Sequence, residues 1–247
     1  MTNPGFEPLG ATQGGGQVQH EHGDVTGGWL RPAVFGAMDG LVSNFALISG
    51  VVGGTDGDHS SAVVIAGLAG LAAGAFSMAA GEYTSVASQS EYTEAEIETE
   101  RREIRERPRA EQAELTQMYV DRGIRADLAA QVAEQVHADP ELALEVHARE
   151  ELGVDPDNLP SPYVAAGSSF ISFAIGALLP VLPYLLGAST IMPALVVSLI
   201  ALFGCGALVS KVTSRSWWYS GFRQLLLGGL AASLTYLIGE MVGTAVG

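Results

Sequence analysis

The chain has 247 residues, 48% of them hydrophobic, and carries 27 Asp and Glu against 12 Lys and Arg, a formal net charge of −15 at pH 7. So few basic residues leave no surface for a nucleic-acid backbone. The single cysteine, Cys205, excludes an internal disulfide and any cysteine cluster for zinc or iron–sulfur.

The averages conceal a segregated chain. Nineteen of the 27 acids and eight of the 12 bases fall between Glu91 and Asp157, and long stretches elsewhere carry almost no charge. Residues 1–30 are rich in Gly, Gln and His, without the basic start and apolar core of a signal peptide, and are expected to form a disordered tail. Within it QHEH pairs His20 with His22, too isolated to define a metal site.

Apolar runs of about 18 or more residues read as membrane spans. Five are present, at about 33–53, 62–88, 163–186, 191–212 and 224–246. The expected fold is therefore all-α and polytopic, with spans one and two in 31–88, a helical insert at 89–160 and spans three to five in 161–247. Span one contains Asp39, and an ionisable residue inside a bilayer is a functional-site hypothesis by default. A carboxylate there can exchange a proton for a cation. In span two Met78 and Glu82 lie four residues apart on one face. Asn44, Ser168, Ser169 and Ser172 offer polar lining, although buried hydroxyls often bond only their own helix. Glycines four apart (Gly36 and Gly40, Gly70 and Gly74, Gly239 and Gly243) allow close helix approach, either within the chain or at a homodimer seam. Pro180 and Pro183 are expected to kink span three, and Glu240 sits near the outer end of span five.

Between Gly81 and Pro108 no Gly or Pro interrupts the passage from apolar to charged sequence. Span two is thus expected to leave the membrane as one helix running to about Arg107. Pro108 opens the next helix, Gly123 closes it, and Asp139-Pro140 caps the helix that Gly153 ends. On these helices Glu96, Glu100 and Glu103 share a face, as do Glu111, Glu114 and Met118, and as do His147, Glu150 and Glu151. Three such stripes converging would suit a divalent transition metal, Mn²⁺ or Fe²⁺ rather than Ca²⁺ or Mg²⁺. The competing reading is a solvated helix surface with i,i+4 pairs such as Glu98–Arg102 and Glu103–Arg107.

Five spans with a cytosolic N-terminus place all 12 basic residues on the cytosolic side, as the positive-inside rule requires. There is no phosphate-cradling Gly-rich motif with Lys and no HExxH, so no enzyme activity is indicated and any transport would run on ion gradients.

The stretches MDGLVSNFALISGV (38–51), SMAAGEYTSVASQSEYTEAE (77–96), HAREELG (147–153) and GALLPVLPYLLG (176–187) resemble, in content and order, the vacuolar iron transporter family. That resemblance implies a five-helix protomer, a homodimer with its pore between subunits, and proton-coupled export of Fe²⁺ from the cytosol. It implies Asp39 and Met78 in the pore, Glu82 at its cytosolic mouth, and Glu100, Glu103, Glu111, Glu114 and Glu151 as metal-gathering carboxylates of the insert. Val146 and His147 stand where the plant and fungal pattern has a methionine pair, and imidazole is a harder ligand than thioether. Relatives fused to a ferritin-like domain are known, but a short tail precedes span one here, so no ferroxidase and no resident cofactor are expected. A manganese-dominant transporter and a membrane-tethered metal buffer or sensor are the alternatives. Arginine-rich composition hints at a bacterial plasma membrane; a eukaryotic source would mean a vacuolar one.

Overall fold

The computed structural model describes residues 28–55, 60–213 and 215–246. The expected tail up to residue 27, with His20 and His22, and the centre of the first outer loop lie outside the described residues. Those described are helical, with no strand among them. In chain order the helices are α1 (Leu30–Gly53), α2 (Ser60–Glu106), α3 (Pro108–Asp121), α4 (Ala126–Val136), α5 (Pro140–His147), a π-helical turn (Ala148–Leu152), α6 (Pro162–Leu185), α7 (Ile191–Thr213) and α8 (Trp217–Val246).

Five of them, α1, α2, α6, α7 and α8, are long and apolar enough to cross a membrane. Their outward faces carry Ile65, Phe76, Ile200, Leu226 and Met241, all exposed. Such surface would be an aggregation hazard in water and is the normal dress of a helix in lipid. Inside, Leu41, Phe45 and Ile48 of α1 meet Val63 of α2, Val181 and Tyr184 of α6, Leu202 of α7 and Ala232 of α8. Helix α1 is thus the central post, packed by the other four spans.

Glycine makes that packing close. A methyl group at Gly36 would collide with Ser172 and the Ser169 carbonyl of α6, and one at Gly40 with the Phe173 carbonyl. Gly239 and Gly243 of α8 lie in the same way against the carbonyls of Gly50 and Gly54. Gly74 makes room for the Phe173 ring, and Gly70 for Leu47. The paired glycines therefore serve packing within one chain. Helix α6 stays a single helix through both Pro180 and Pro183.

Helix α2 has 47 residues, about 70 Å at 1.5 Å per residue. It carries the chain out of the apolar layer without a break, as the missing Gly and Pro predict. At its end Pro108 starts α3 in a position where its absent N–H is no loss. Asp139 caps α5 by accepting from the Glu141 amide at 3.0 Å. Gly123 and Gly153, with φ of 91° and 68°, adopt the left-handed conformation that stops the helices before them. Ile97 and Ile104 of α2 bury against Ala143 and Leu144 of α5 and fasten the insert to the α2 extension. Ser90 also donates to the Pro160 carbonyl at 3.1 Å, tying the insert's return strand to α2.

Candidate functional site

In the insert the predicted stripes meet. His147, at the end of α5, is fully buried, with Nδ1 2.9 Å from Glu100 Oε1 of α2 and 2.9 Å from Glu151 Oε1 of the π-turn. One ring nitrogen carries at most one proton, and here the hydrogen bond goes to Glu151. Glu100 Oε1 is left buried without a donor, and so is His147 Nε2. A buried acceptor without a partner costs about 1–3 kcal/mol. Two such atoms in one cluster are donor atoms that could hold a cation. Ligand atoms of Glu100, His147 and Glu151 all lie within 4.8 Å of one another. Adjacent ligands around an octahedral ion with bonds of about 2.1 Å stand roughly 3 Å apart, and the two separations from His147 Nδ1 match that spacing. A proton on Nδ1 and a metal ion would occupy the same space, and one excludes the other.

The other carboxylates crowd the same spot. Burial lifts Glu111 of α3 above its ordinary value, and the charges of Glu100, Glu114 and Glu103 push in the same direction, against the pull of His147. Glu151 is raised first by burial and then by Glu100 and Glu114, with the His147 hydrogen bond opposing. For His147 burial favours the neutral ring, but the contacts with Glu100 and Glu151 outweigh it and the net shift is upward. Carboxylates that raise one another are a site short of positive charge.

Glu150 does not join them. It pairs with Arg122 at the end of α3. The expected stripe assumed an α-helical turn, whereas residues 148–152 form a π-turn. Its wider spacing keeps Glu151 beside His147 and rotates Glu150 away. The solvated-surface pairs also differ from expectation: Glu98 reaches Arg101 rather than Arg102. Sequence spacing gave no hint of His137, whose ring lies edge-on to His147 with centroids 5.2 Å apart. Its Nδ1 donates to the Ala133 carbonyl at 3.0 Å, leaving Nε2 buried and unpartnered.

The second locus lies among the spans. Asp39 and Met78 line one open cavity of about 280 Å³ with Ser43, Asn44, Gly70, Gly74, Ser77, Leu47 and Phe173. Gly70 and Gly74 leave α2 bare of side chains there, so that Leu47 of α1 and Phe173 of α6 come up against its backbone at the cavity wall. Glu82, one turn beyond Met78, is buried, and its Oε2 has no partner. Of the polar lining expected, Asn44 borders this cavity and Ser168, Ser169 and Ser172 do not; Ser43 and Ser77 take that place. Ser168 and Ser172 donate to carbonyls of their own helix, at 3.0 Å to Ala165 and 3.2 Å to Ser169. Ser169 is buried and its hydroxyl unpartnered.

Comparison with known proteins agrees in extent with this architecture. The sequence model of the VIT family matches residues 30–240. The "Vacuolar iron transporter" of Acanthamoeba castellanii is 37% identical over 227 residues, covering 89% of this chain and 80% of that protein. The "Vacuolar iron transporter 1" of Arabidopsis thaliana is 30% identical over 219 residues, 86% of each chain. The protein of the same name from Oryza sativa subsp. japonica is 29% identical over 249 residues, 98% of each. All three sources are eukaryotic, so they lend no support to a bacterial reading of the composition.

Proposed function

The chain belongs to the VIT family, and on that premise we propose that this integral membrane protein is a proton-coupled divalent-metal exporter carrying Fe²⁺ first and Mn²⁺ close behind. The printed names of its relatives support iron as the cargo. The observation that carries the reading is one continuous helix joining two metal-competent loci: α2 bears Glu100 in the insert cluster and Met78 in the membrane cavity.

In this reading Glu100, His147 and Glu151 hold the ion at the cytosolic face, with Glu103, Glu111 and Glu114 supplying further oxygens and negative potential. A set of carboxylates with one imidazole suits Fe²⁺ and Mn²⁺ and disfavours Ca²⁺ and Mg²⁺, which ask for oxygen alone. Glu82, buried with a free carboxylate oxygen, receives the ion at the mouth, and Met78 and Asp39 hold it in the cavity. Asp39 is the one acid lining that cavity. It can release a proton as the cation arrives and take one back as it departs, which makes the exchange electrically economical in a low-dielectric layer. A homodimer places two such cavities face to face along a shared axis, with the N-terminus and insert in the cytosol. The eukaryotic sources of the relatives favour a vacuolar over a plasma membrane.

The test is flux into liposomes under reducing conditions with an imposed proton gradient, following internal Fe²⁺ and pH together. Metal moving against protons in the wild type and not in Asp39→Asn supports the antiporter. Tight binding by the insert with no flux would replace it by a membrane-tethered buffer or sensor. Flux that favours Mn²⁺ strongly in competition would make manganese the principal cargo.

A further inference from the structure

Asn44 lies in α1 and is 3% exposed. Its Nδ2 donates to the Gly67 carbonyl of α2 at 3.1 Å and to the Ala177 carbonyl of α6 at 2.6 Å. Two backbone carbonyls on one end of the amide fix its orientation, since the reverse would set three oxygens against each other. Oδ1 therefore points the other way, buried and without a donor. It lies over Gly70, where an added Cβ would stand 3.0 Å from it. Asn44 and Gly70 both line the cavity that holds Asp39 and Met78. Bonding between helices explains the Nδ2 end of the amide, but it gives no reason for an acceptor stranded at the other end.

We propose that Asn44 Oδ1 is a metal ligand on the membrane path, a neutral oxygen that shares the passing cation with the Asp39 carboxylate and the Met78 thioether and biases the path toward oxygen-preferring ions. The proposal rests on the transport reading above. Asp39 must give up and regain a proton; an amide oxygen holds a cation without titrating, so the charge of the site stays under the control of Asp39 alone. The two bonds from Nδ2 hold the oxygen still, and a ligand fixed in this way needs no reorganisation when the ion arrives. Thioether sulfur favours soft ions, while carbonyl oxygen favours Mn²⁺ and Fe²⁺. Asn44 is thus a counterweight to Met78.

The experiment measures uptake of Mn²⁺ and Cd²⁺ from an equimolar mixture by the full chain in liposomes. Asn44→Leu should lower the Mn²⁺:Cd²⁺ uptake ratio about tenfold, the effect of losing one contact to a charged group. Gly70→Ala leaves the amide and its two bonds in place and crowds only Oδ1 and the mobile end of Leu47. It should move the ratio in the same direction, and it decides the matter if Asn44→Leu fails to insert. A wild-type ratio in the variants, or an equal slowing of both ions, would make Asn44 a clamp between helices and overturn the proposal while transport stands. Absence of flux for either ion in the wild type would remove the transport reading, and the ligand role with it.

Discussion

In the proposed reading a proton and an ion compete for His147 Nδ1, and that competition would govern the insert's affinity for metal. Metal affinity should fall as pH drops from about 7.5 to about 6, with protons released on binding. Calorimetric titration of Mn²⁺ in buffers of different ionisation enthalpy reads both effects; a pH-independent affinity would place the ion elsewhere. Stability without metal runs the opposite way. His147, Glu111 and Glu151 are all raised above their ordinary values in the folded chain. Raised groups stabilise the fold below their unfolded values and lose that contribution as pH rises through the folded ones. His137, lowered by burial, opposes this in part. Amide protection factors across α5, corrected for the intrinsic pH dependence of exchange, should therefore rise as the metal-free chain is taken from about pH 8 to about pH 6. Substitution separates the acids. His147→Ala should weaken Mn²⁺ binding about tenfold or more, whereas Glu150→Gln should leave it within about twofold, its partner being Arg122. The acids of the cluster were legible because helical spacing is a local property. His137 and the buried, unpartnered oxygen of Asn44 were not, because the groups that orient them sit on other turns or other helices, as far as 133 residues away for Ala177.

Among the elements, the π-turn after α5 shows how one hydrogen-bond register decides a ligand set. HAREELG reads as plain α-helix, and nothing local in it announces the wider turn that retains Glu151 and discards Glu150. The α2 extension, in contrast, was legible to within a residue, because only Gly or Pro could have broken it. The glycine seams make a sharper test of packing. At Gly40 a methyl group meets backbone, the Phe173 carbonyl and the Ala177 nitrogen at 3.0 Å, and neither can yield without separating α1 from α6. Gly40→Ala should lower stability by about 1–3 kcal/mol. Gly229→Ala, with nothing within 4 Å of the new carbon, should be neutral or gain up to about 1 kcal/mol from helix propensity. Thermal melts of the detergent-solubilised variants distinguish them, and equal effects at the two sites would refute the seam.

For the molecule as a whole, charge and aromatic rings agree on a side. All three tryptophans, Trp29, Trp217 and Trp218, stand at the starts of α1 and α8. Tyr163 at the start of α6 meets Tyr83 of α2 edge-on at 5.3 Å, and such rings suit a membrane interface. Arg31 lies in the first turn of α1, Lys211 in the last turn of α7 and Arg215 in the connection to α8. In a Cys205→Ser background, a cysteine at Ala113 should react with an impermeant thiol reagent only from the cytosolic face, and one at Ser189 only from the opposite face. Labelling of both from one side would invert or break the five-span topology. The number of spans was readable from composition alone, since lipid imposes length and apolarity on each segment separately. The convergence of α2, α3 and α5 on one cluster was not, because it depends on how three soluble helices fold back against a fourth. That fourth helix has a mechanical consequence. Glu82 and Glu100 lie on the same unbroken rod, about 27 Å apart along its axis. Because Ile97 and Ile104 fasten α5 to this same rod, a tilt of about 10° at the mouth would swing Glu100 and His147 together through roughly 5 Å. The span is then one arm of a lever and the insert the other, so any rocking of the membrane helices would carry the whole insert cluster sideways over the mouth at Glu82.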